Sequence, residues 1–457
     1  MSDPRVRFQP TTPCAFGGIQ RAYVTVRSLL LLALFLAVVP TALASSKWYV
    51  DGVNGSDNND CKSPQSACKT IGHAISLASP GDSIMIAAAA YTENLKIRFS
   101  LSLIGADSKT TFIQGRSRIV VKIPNRDSNV VLSNVTVRHG GSDCGGGIYN
   151  NGTLAISNSI IADNAATGDP SYGGGICNNG TLTLNHCVVR NNHTGGAYDS
   201  YGAGIYSTGS VTINDSKLLN NNVGGSVYLY GGAVFNEGGT LVINRSTISK
   251  NGEGFNSGGF GGGIYTSGTT TINDSAFINN SAGNIGGGIY NFSGLLTINN
   301  STISGNVAVA AGGIESGGTV MINNSTLSGN SAPQGGGGIY GAATLQNSII
   351  ANSPSGGNCN GIMTSMGYNL SSDGTCNFKH KGDFNNKNPK LGKLGNYGGP
   401  TQTIPLLSGS PAIDAGNPNG CTDGHGHLLK TDQRGYPRPD KEDKSGCDMG
   451  AYERQSD

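Results

Sequence analysis

The chain has 457 residues, of which 72 are Gly and only 13% are charged, with a formal net charge of +2. Glycine at that level excludes a helix-rich enzyme, because each interior Gly costs a helix ~1 kcal/mol relative to Ala. Arg5, Arg7, Arg21 and Arg27 against Asp3 hold +3 of the charge. The rest of the chain therefore sits near about −1 and gives no electrostatic reason to expect nucleic acid.

In chain order, Arg27 precedes an uncharged apolar run from Ser28 to Val39, followed by Pro40 and Ala42-Leu43-Ala44. This predicts a Sec-type signal peptide over 1–44, cleaved after Ala44, with an uncleaved N-terminal anchor as the rival. The run is shorter than the ~20 apolar residues a comfortable span needs, and no second apolar segment follows, so no membrane span is expected after cleavage. Residues 45–144 are read as an N-terminal cap and first coils. Cysteines agree with export: Cys61 with Cys68, Cys359 with Cys376, and Cys421 with Cys447 are spaced as local pairs flanking the repeats, which an oxidising compartment would close into small loops. Nine cysteines remain beyond Cys14, so at least one is left over. Without a CxxC pair, and with 7 His in the chain, neither a metal nor another cofactor is expected.

From 145 to 352 the sequence repeats. Ile148, Ile176, Ile205, Val234, Ile264, Ile289, Ile314 and Ile339 each follow a Gly/Ala-rich triplet, first 28 to 30 and then 25 residues apart. Each unit holds three short β-prone pieces, GGIY, TLTI-like and STIS-like, separated by Asn, Gly and Ser. Three strands per unit without hairpin turns predict an all-β, right-handed parallel β-helix, each coil stacked on the next. Asn164, Asn192, Asn221, Asn251, Asn280, Asn306, Asn330 and Asn352 each sit three residues after an apolar residue. That register predicts an inward ladder of stacked amides.

Coil length is uneven. From Asn164, Asn192, Asn221 and Asn251 to the next Ile-equivalent is 12, 13, 13 and 13 residues, against 9, 8 and 9 after Asn280, Asn306 and Asn330. Four insertions at one corner predict a ridge along the first half. They are aromatic, ending in Tyr172, Tyr201, Tyr230 and Phe260 and also holding Tyr198, Tyr228 and Phe255. A second column follows each Ile-equivalent: Tyr149, Tyr206, Phe235, Tyr265, Tyr290 and Tyr340. With Ile inward, alternation points these rings outward. Beside Asn150, Asn178, Asn236 and Asn291 they suit the faces and hydroxyls of sugars, while a self-stacking ladder is the structural alternative. Residues 353–457 hold the last coils and a C-terminal cap. There Asp414, Asp432, Arg434, Arg438, Asp448 and Glu453 read as structural charge pairs.

At this point the chain resembles known families. GGI/GGA motifs with Phe277-Ile278-Asn279-Asn280 and its variants Ile303–Asn306 and Leu327–Asn330 look like the repeat of polymorphic outer membrane proteins, β-helical surface proteins of which several act in adhesion. Trp48 to Ile97 resembles the cap of pectin-lyase-like β-helices, which implies a short plugging helix over Lys69 to Ala78. The terminus, GNYGGPTQTIPLLSGSPAIDAG with DQRGYPRP and CDMGAYE, is similar to the choice-of-anchor Q domain of bacterial surface proteins. No autotransporter barrel or sorting tail follows, so attachment is expected to rest on something else.

Three functions compete. A surface or secreted protein that adheres or binds polysaccharide or host glycan through the aromatic ridge ranks first. A polysaccharide lyase or glycoside hydrolase ranks second, with Asp169, Asp199 and Glu253 as candidate catalytic groups and Ca2+ needed only for a lyase. No Arg or Lys in the ridge offers a lyase its base. A rod without ligand, or one that contacts ice through its Thr rows, ranks third. Leu295, Ala155 and Met321 interrupt those rows.

Overall fold

The structure, a computed structural model, describes residues 45–225, 227–252, 258–441 and 446–455. The expected leader, Cys14, Glu253 and Phe255 lie outside them. Three long parallel sheets of 13, 12 and 11 strands run the length of the molecule (sheets I, II and III), with two further sheets of 4 strands each (sheets IV and V). This is a parallel β-helix. The GGIY pieces form sheet III, as in Ile176–Asn178. The TLTI pieces form sheet I, as in Thr181–Asn185, and the STIS pieces form sheet II, as in Val188–Arg190.

Stacking is residue on residue. Thr181–Asn185 pairs in parallel with Thr153–Ser157 on one side and Ser210–Asn214 on the other. Because strand side chains alternate, Leu154, Leu182, Val211 and Leu241 share one buried interior column, and Ile156, Leu184, Ile213 and Ile243 the next. On the outer face Thr181, Ser210, Thr240 and Thr269 are in register before Leu295 breaks the row.

The corners explain the Asn register. Asn192 Nδ2 donates to Asn221 Oδ1 (3.0 Å) and to the Ile161 carbonyl (3.0 Å), and Asn221 Nδ2 donates to Asn251 Oδ1 (3.0 Å). The same step recurs from Asn164 to Asn330. Asn352 is a correction. Leu327 pairs with Ile350, which sets Asn352 beside Gly329 rather than Asn330. Gly329 is the left-handed corner (φ +70°), and Asn352 adopts the same turn (φ +57°) with its side chain exposed.

A second ladder was not anticipated. The N–H groups of Ser216, Ser246, Ser275, Ser301 and Ser325 donate to the hydroxyls of Ser246, Ser275, Ser301, Ser325 and Ser348 in turn, at 3.0–3.2 Å. Cys187 takes the serine's place in one coil. Its thiol is the one free cysteine among the described residues, and burial pushes it up to about 11.

Residues near both ends of the coils pack into the core. The helix is Ile71–Leu77, shorter than the Lys69 to Ala78 expected, because Thr70 caps it and Ala78 is already extended. Glu93 accepts from the Ile71 and Gly72 N–H groups (2.9 and 2.8 Å), and Ile71 and Ala74 are buried in the core. At the far end Cys376 and Phe378 join the same core.

The three expected disulfides are present, joining Cys61 to Cys68, Cys359 to Cys376 and Cys421 to Cys447. A fourth, unexpected, joins Cys144 to Cys177. The Cys421–Cys447 pair closes the longest loop of the three expected pairs. Cys447 lies 26 residues from Cys421, and both are buried. The carbonyl of Cys447 accepts from the Gly416 N–H (2.8 Å), and the carbonyl of Thr422, next to Cys421, accepts from Asn324 Nδ2 (2.6 Å). This bridge therefore fastens the C-terminal segment close to where it lies against the coils.

The C-terminal segment does more than close an end, because it straps back along sheet II. Thr401 Oγ1 donates to the Asp274 carbonyl (3.0 Å), and Arg438 to Asn300 Oδ1 (2.9 Å). Thr302 Oγ1 donates to Gln433 Oε1 (2.6 Å), and the Ala451 N–H to Thr326 Oγ1 (3.0 Å). Within the strap, Arg434 pairs with Asp432 (2.7 Å) and Arg438 with Glu453 (2.7 Å), all four side chains buried. Those charges act as structure.

Candidate binding edge along the fin

The described parts of the four insertions form strands. Sheets IV and V stack them coil on coil into a thin fin beside sheet III. Ala203, Val223 and Leu229 form the fin's own small core, and the Ser171 and Ser200 hydroxyls meet across coils at 2.8 Å. The Cys144–Cys177 bridge ties the fin's foot to sheet III.

Two aromatic columns face each other where the fin meets sheet III. In the fin, Tyr172–Tyr201, Tyr201–Tyr230 and Tyr230–Phe260 stack with centroids 5.1, 5.1 and 5.2 Å apart. On sheet III, Tyr206–Phe235 and Phe235–Tyr265 stack at 5.6 and 4.7 Å. The columns interlock edge to face, Tyr201 on Phe235 at 5.0 Å and Tyr230 on Tyr265 at 5.2 Å. Such pairs add ~0.5–1.5 kcal/mol each beyond area burial. Tyr206, Phe235 and Tyr265 point outward from the coil as expected, yet the fin leaves them only 9%, 6% and 8% exposed. Asn150, Asn178, Asn236 and Asn291 are also buried, so they do not line a sugar surface. They point into the coil, where Asn150 Nδ2 donates to Asn178 Oδ1 (2.7 Å).

Open aromatic surface is left at the edges of this array. Tyr198 and Tyr228, near the fin's tip, are 65% and 48% exposed, and Phe292, just past the fin, is 52% exposed. Tyr172, Tyr201, Tyr230 and Phe260 are half-buried between these edges and the second column.

Two of the candidate acids hold local structure. Asp169 Oδ1 accepts from the Tyr198 N–H (2.9 Å), and Asp199 Oδ2 from the Tyr201 hydroxyl (3.2 Å). Asp163, Asp215 and Asp274 occupy left-handed bends, and Asp215 receives two bonds from Arg245 (2.8 and 2.7 Å).

Two acids were missed in the sequence. Glu237 accepts from the Tyr206 hydroxyl at 2.5 Å. Burial first, and then the Glu237 and Asp199 charges, raise the Tyr172, Tyr201 and Tyr206 hydroxyls, which stay protonated donors. Glu315 takes a ring's place in the sheet III column, opposite Tyr290 and Tyr340. Its Oε2 is buried without a partner, and burial pushes the carboxyl up to about 7. The signal was visible, since Glu315 breaks the GGI-aromatic frame. Among the described residues one group of three possible metal ligands gathers, Cys61, Cys68 and His73, and the disulfide occupies both thiols.

No family model matches the chain, and no curated protein matches it significantly. Solved structures similar to it include the pectate lyase Pel9A, at 13% identity over 90% of this chain and 98% of that one (TM-score 0.46). Pectin methylesterase PemA from Erwinia chrysanthemi is 14% identical over 55% and 81% (TM-score 0.33). A rhamnogalacturonan lyase is 13% identical over 72% and 82% (TM-score 0.25). The β-helix itself rests on the strand register.

Proposed function

We propose that the protein is an exported, surface-associated or secreted β-helix that binds polysaccharide along the fin. The observation that carries this reading is the exposure of Tyr198, which stands outside the packed array, and of Tyr228, which lies at its edge against Tyr230 (6.2 Å) and Phe260 (6.4 Å) yet is still 48% exposed. A stack that served only to join coils would leave no ring faces open, and rigid aromatic faces beside neutral phenol donors suit sugar rings. The leader over 1–44 and the disulfides support export. The likeness of the repeats to polymorphic outer membrane proteins, and of the terminus to the choice-of-anchor Q domain, supports adhesion at a cell surface.

The test is a glycan array probed with the full mature chain. Binding to a polysaccharide class should fall at least ~10-fold in Tyr198→Ala/Tyr228→Ala, the loss of two stacking contacts of ~1 kcal/mol each. Unchanged binding in a correctly folded variant removes the fin from the reading.

One observation favours a second reading, a glycoside hydrolase: Glu315 is a carboxyl held near neutral pH beside aromatic rings. A hydrolase needs a second carboxylate ~5–9.5 Å away, and Glu315's neighbours along its column are Tyr290 and Tyr340. Release of reducing sugar from a bound polysaccharide, abolished by Glu315→Gln, would move the assignment to catalysis.

A further inference from the structure

Followed toward the N-terminus, the outward column of sheet III changes character. Tyr149 pairs with Lys122, and Lys122 with Lys96. Alternation in NLKI and VVKI puts both lysines on the aromatic side, because Leu95, Val121 and Ile123 are buried. Lys122 Nζ stands 5.2 Å from the centroid of the Tyr149 ring. Beside this pair lies a groove of about 410 Å³ lined by Lys96, Arg118 and Lys122, with Asn94, Ser117 and Asp143 among its polar walls. Gly141 and Ser142, the first strand of sheet IV, form its other side, so it opens at the foot of the fin.

Its charge is not neutralised from within. Lys96, Arg118 and Lys122 take part in no ion pair among the described residues. The one wall acid, Asp143, lies against Gly168 of the fin. The sequence around the groove is asymmetric as well. Residues 94–140 carry eight Lys and Arg against two acids, while 141–290 carry four against eight. Such segregation gives a local positive field that the small net charge conceals. The walls are fixed, with Asn94 Nδ2 donating to the Ile119 carbonyl at 2.8 Å.

We infer that this groove is an anion subsite at the start of the aromatic edge, and that the polysaccharide is acidic, carrying carboxylate or sulfate. The inference rests on the binding reading and adds its ligand class. An acidic sugar in the groove pairs with Lys96, Arg118 and Lys122, and the chain continues over Tyr149 onto the fin. The geometry favours a glycan over nucleic acid because the cations stop where the rings begin.

The test is solution binding of the full mature chain to oligogalacturonate, to sulfated dextran oligomers, and to neutral galactan and dextran oligomers of matched length. One or both acidic ligands should bind at least ~10-fold tighter than their neutral counterparts, and more weakly as salt rises. Which acid binds separates carboxylate from sulfate. Lys96→Gln/Arg118→Gln, at two exposed positions that leave the core untouched, should erase the preference while neutral binding persists. Equal affinity for acidic and neutral oligomers, or a preference that survives the double variant, overturns the subsite and leaves fin binding standing. Duplex DNA or anionic vesicles that bind the groove as tightly as the acidic glycan overturn it also. Absence of binding to any glycan overturns both proposals.

Discussion

Glu315 shows how far one residue can depart from its column. Its folded carboxyl titrates near about 7 because burial disfavours the charge, whereas the unfolded chain titrates at the ordinary value of 4.5. The folded state then binds more protons than the unfolded state between these values, so this group's contribution is intact below the unfolded value and lost as pH rises through the folded one. Glu315→Gln should therefore stabilise the protein at pH 8 by about 1 kcal/mol, discounted for the group's partial exposure, and leave stability at pH 4 nearly unchanged. Urea unfolding at the two pH values measures this, and an equal shift at both would contradict it. Sequence carried the aromatic frame in which Glu315 is anomalous. It did not carry the burial, which depends on what the neighbouring coils place over the side chain.

At the scale of elements, ladders hold the corners and the fin extends one of them. Asn221 Oδ1 accepts from both the N–H and the Nδ2 of Asn192 (3.2 and 3.0 Å) in a site closed to water. Asn221→Ala strands those donors and should cost about 3 kcal/mol, since a buried unsatisfied group costs ~1–3 kcal/mol. Asn352→Ala removes an exposed turn residue and should cost under ~1 kcal/mol, mainly from the left-handed backbone. Similar losses at both sites, measured by chemical denaturation, would contradict the reassigned register. Repetition made the Asn ladder and the ridge legible. A one-residue slip in the last coil misplaced Asn352, and the serine ladder passed as ordinary turn composition. The inward turn of Asn150 and its equivalents also escaped notice, because corner geometry decides which way those amides point.

Across the described residues, the stacked coils supply a scaffold on which three asymmetric features are mounted: the basic first coils, the aromatic fin and the C-terminal strap. The strap was legible only as a charged cap with a cysteine pair, since its path back along sheet II depends on contacts more than a hundred residues apart in sequence. Arg438 links it to Asn300 and pairs with Glu453, each with a fully buried side chain. Arg438→Met should destabilise the protein by about 3 kcal/mol, because it strands a buried carboxyl. Thermal unfolding of the variant, with no loss of stability, would show that the strap is independent of the coils. The fin matters most, since the proposed activity rests on it. The most direct measurement is a crystal structure of the mature chain soaked with an oligosaccharide that it binds in solution. The account predicts sugar rings stacked on Tyr198 and Tyr228 along the fin. Sugar bound elsewhere on the rod, with both rings untouched, would contradict it.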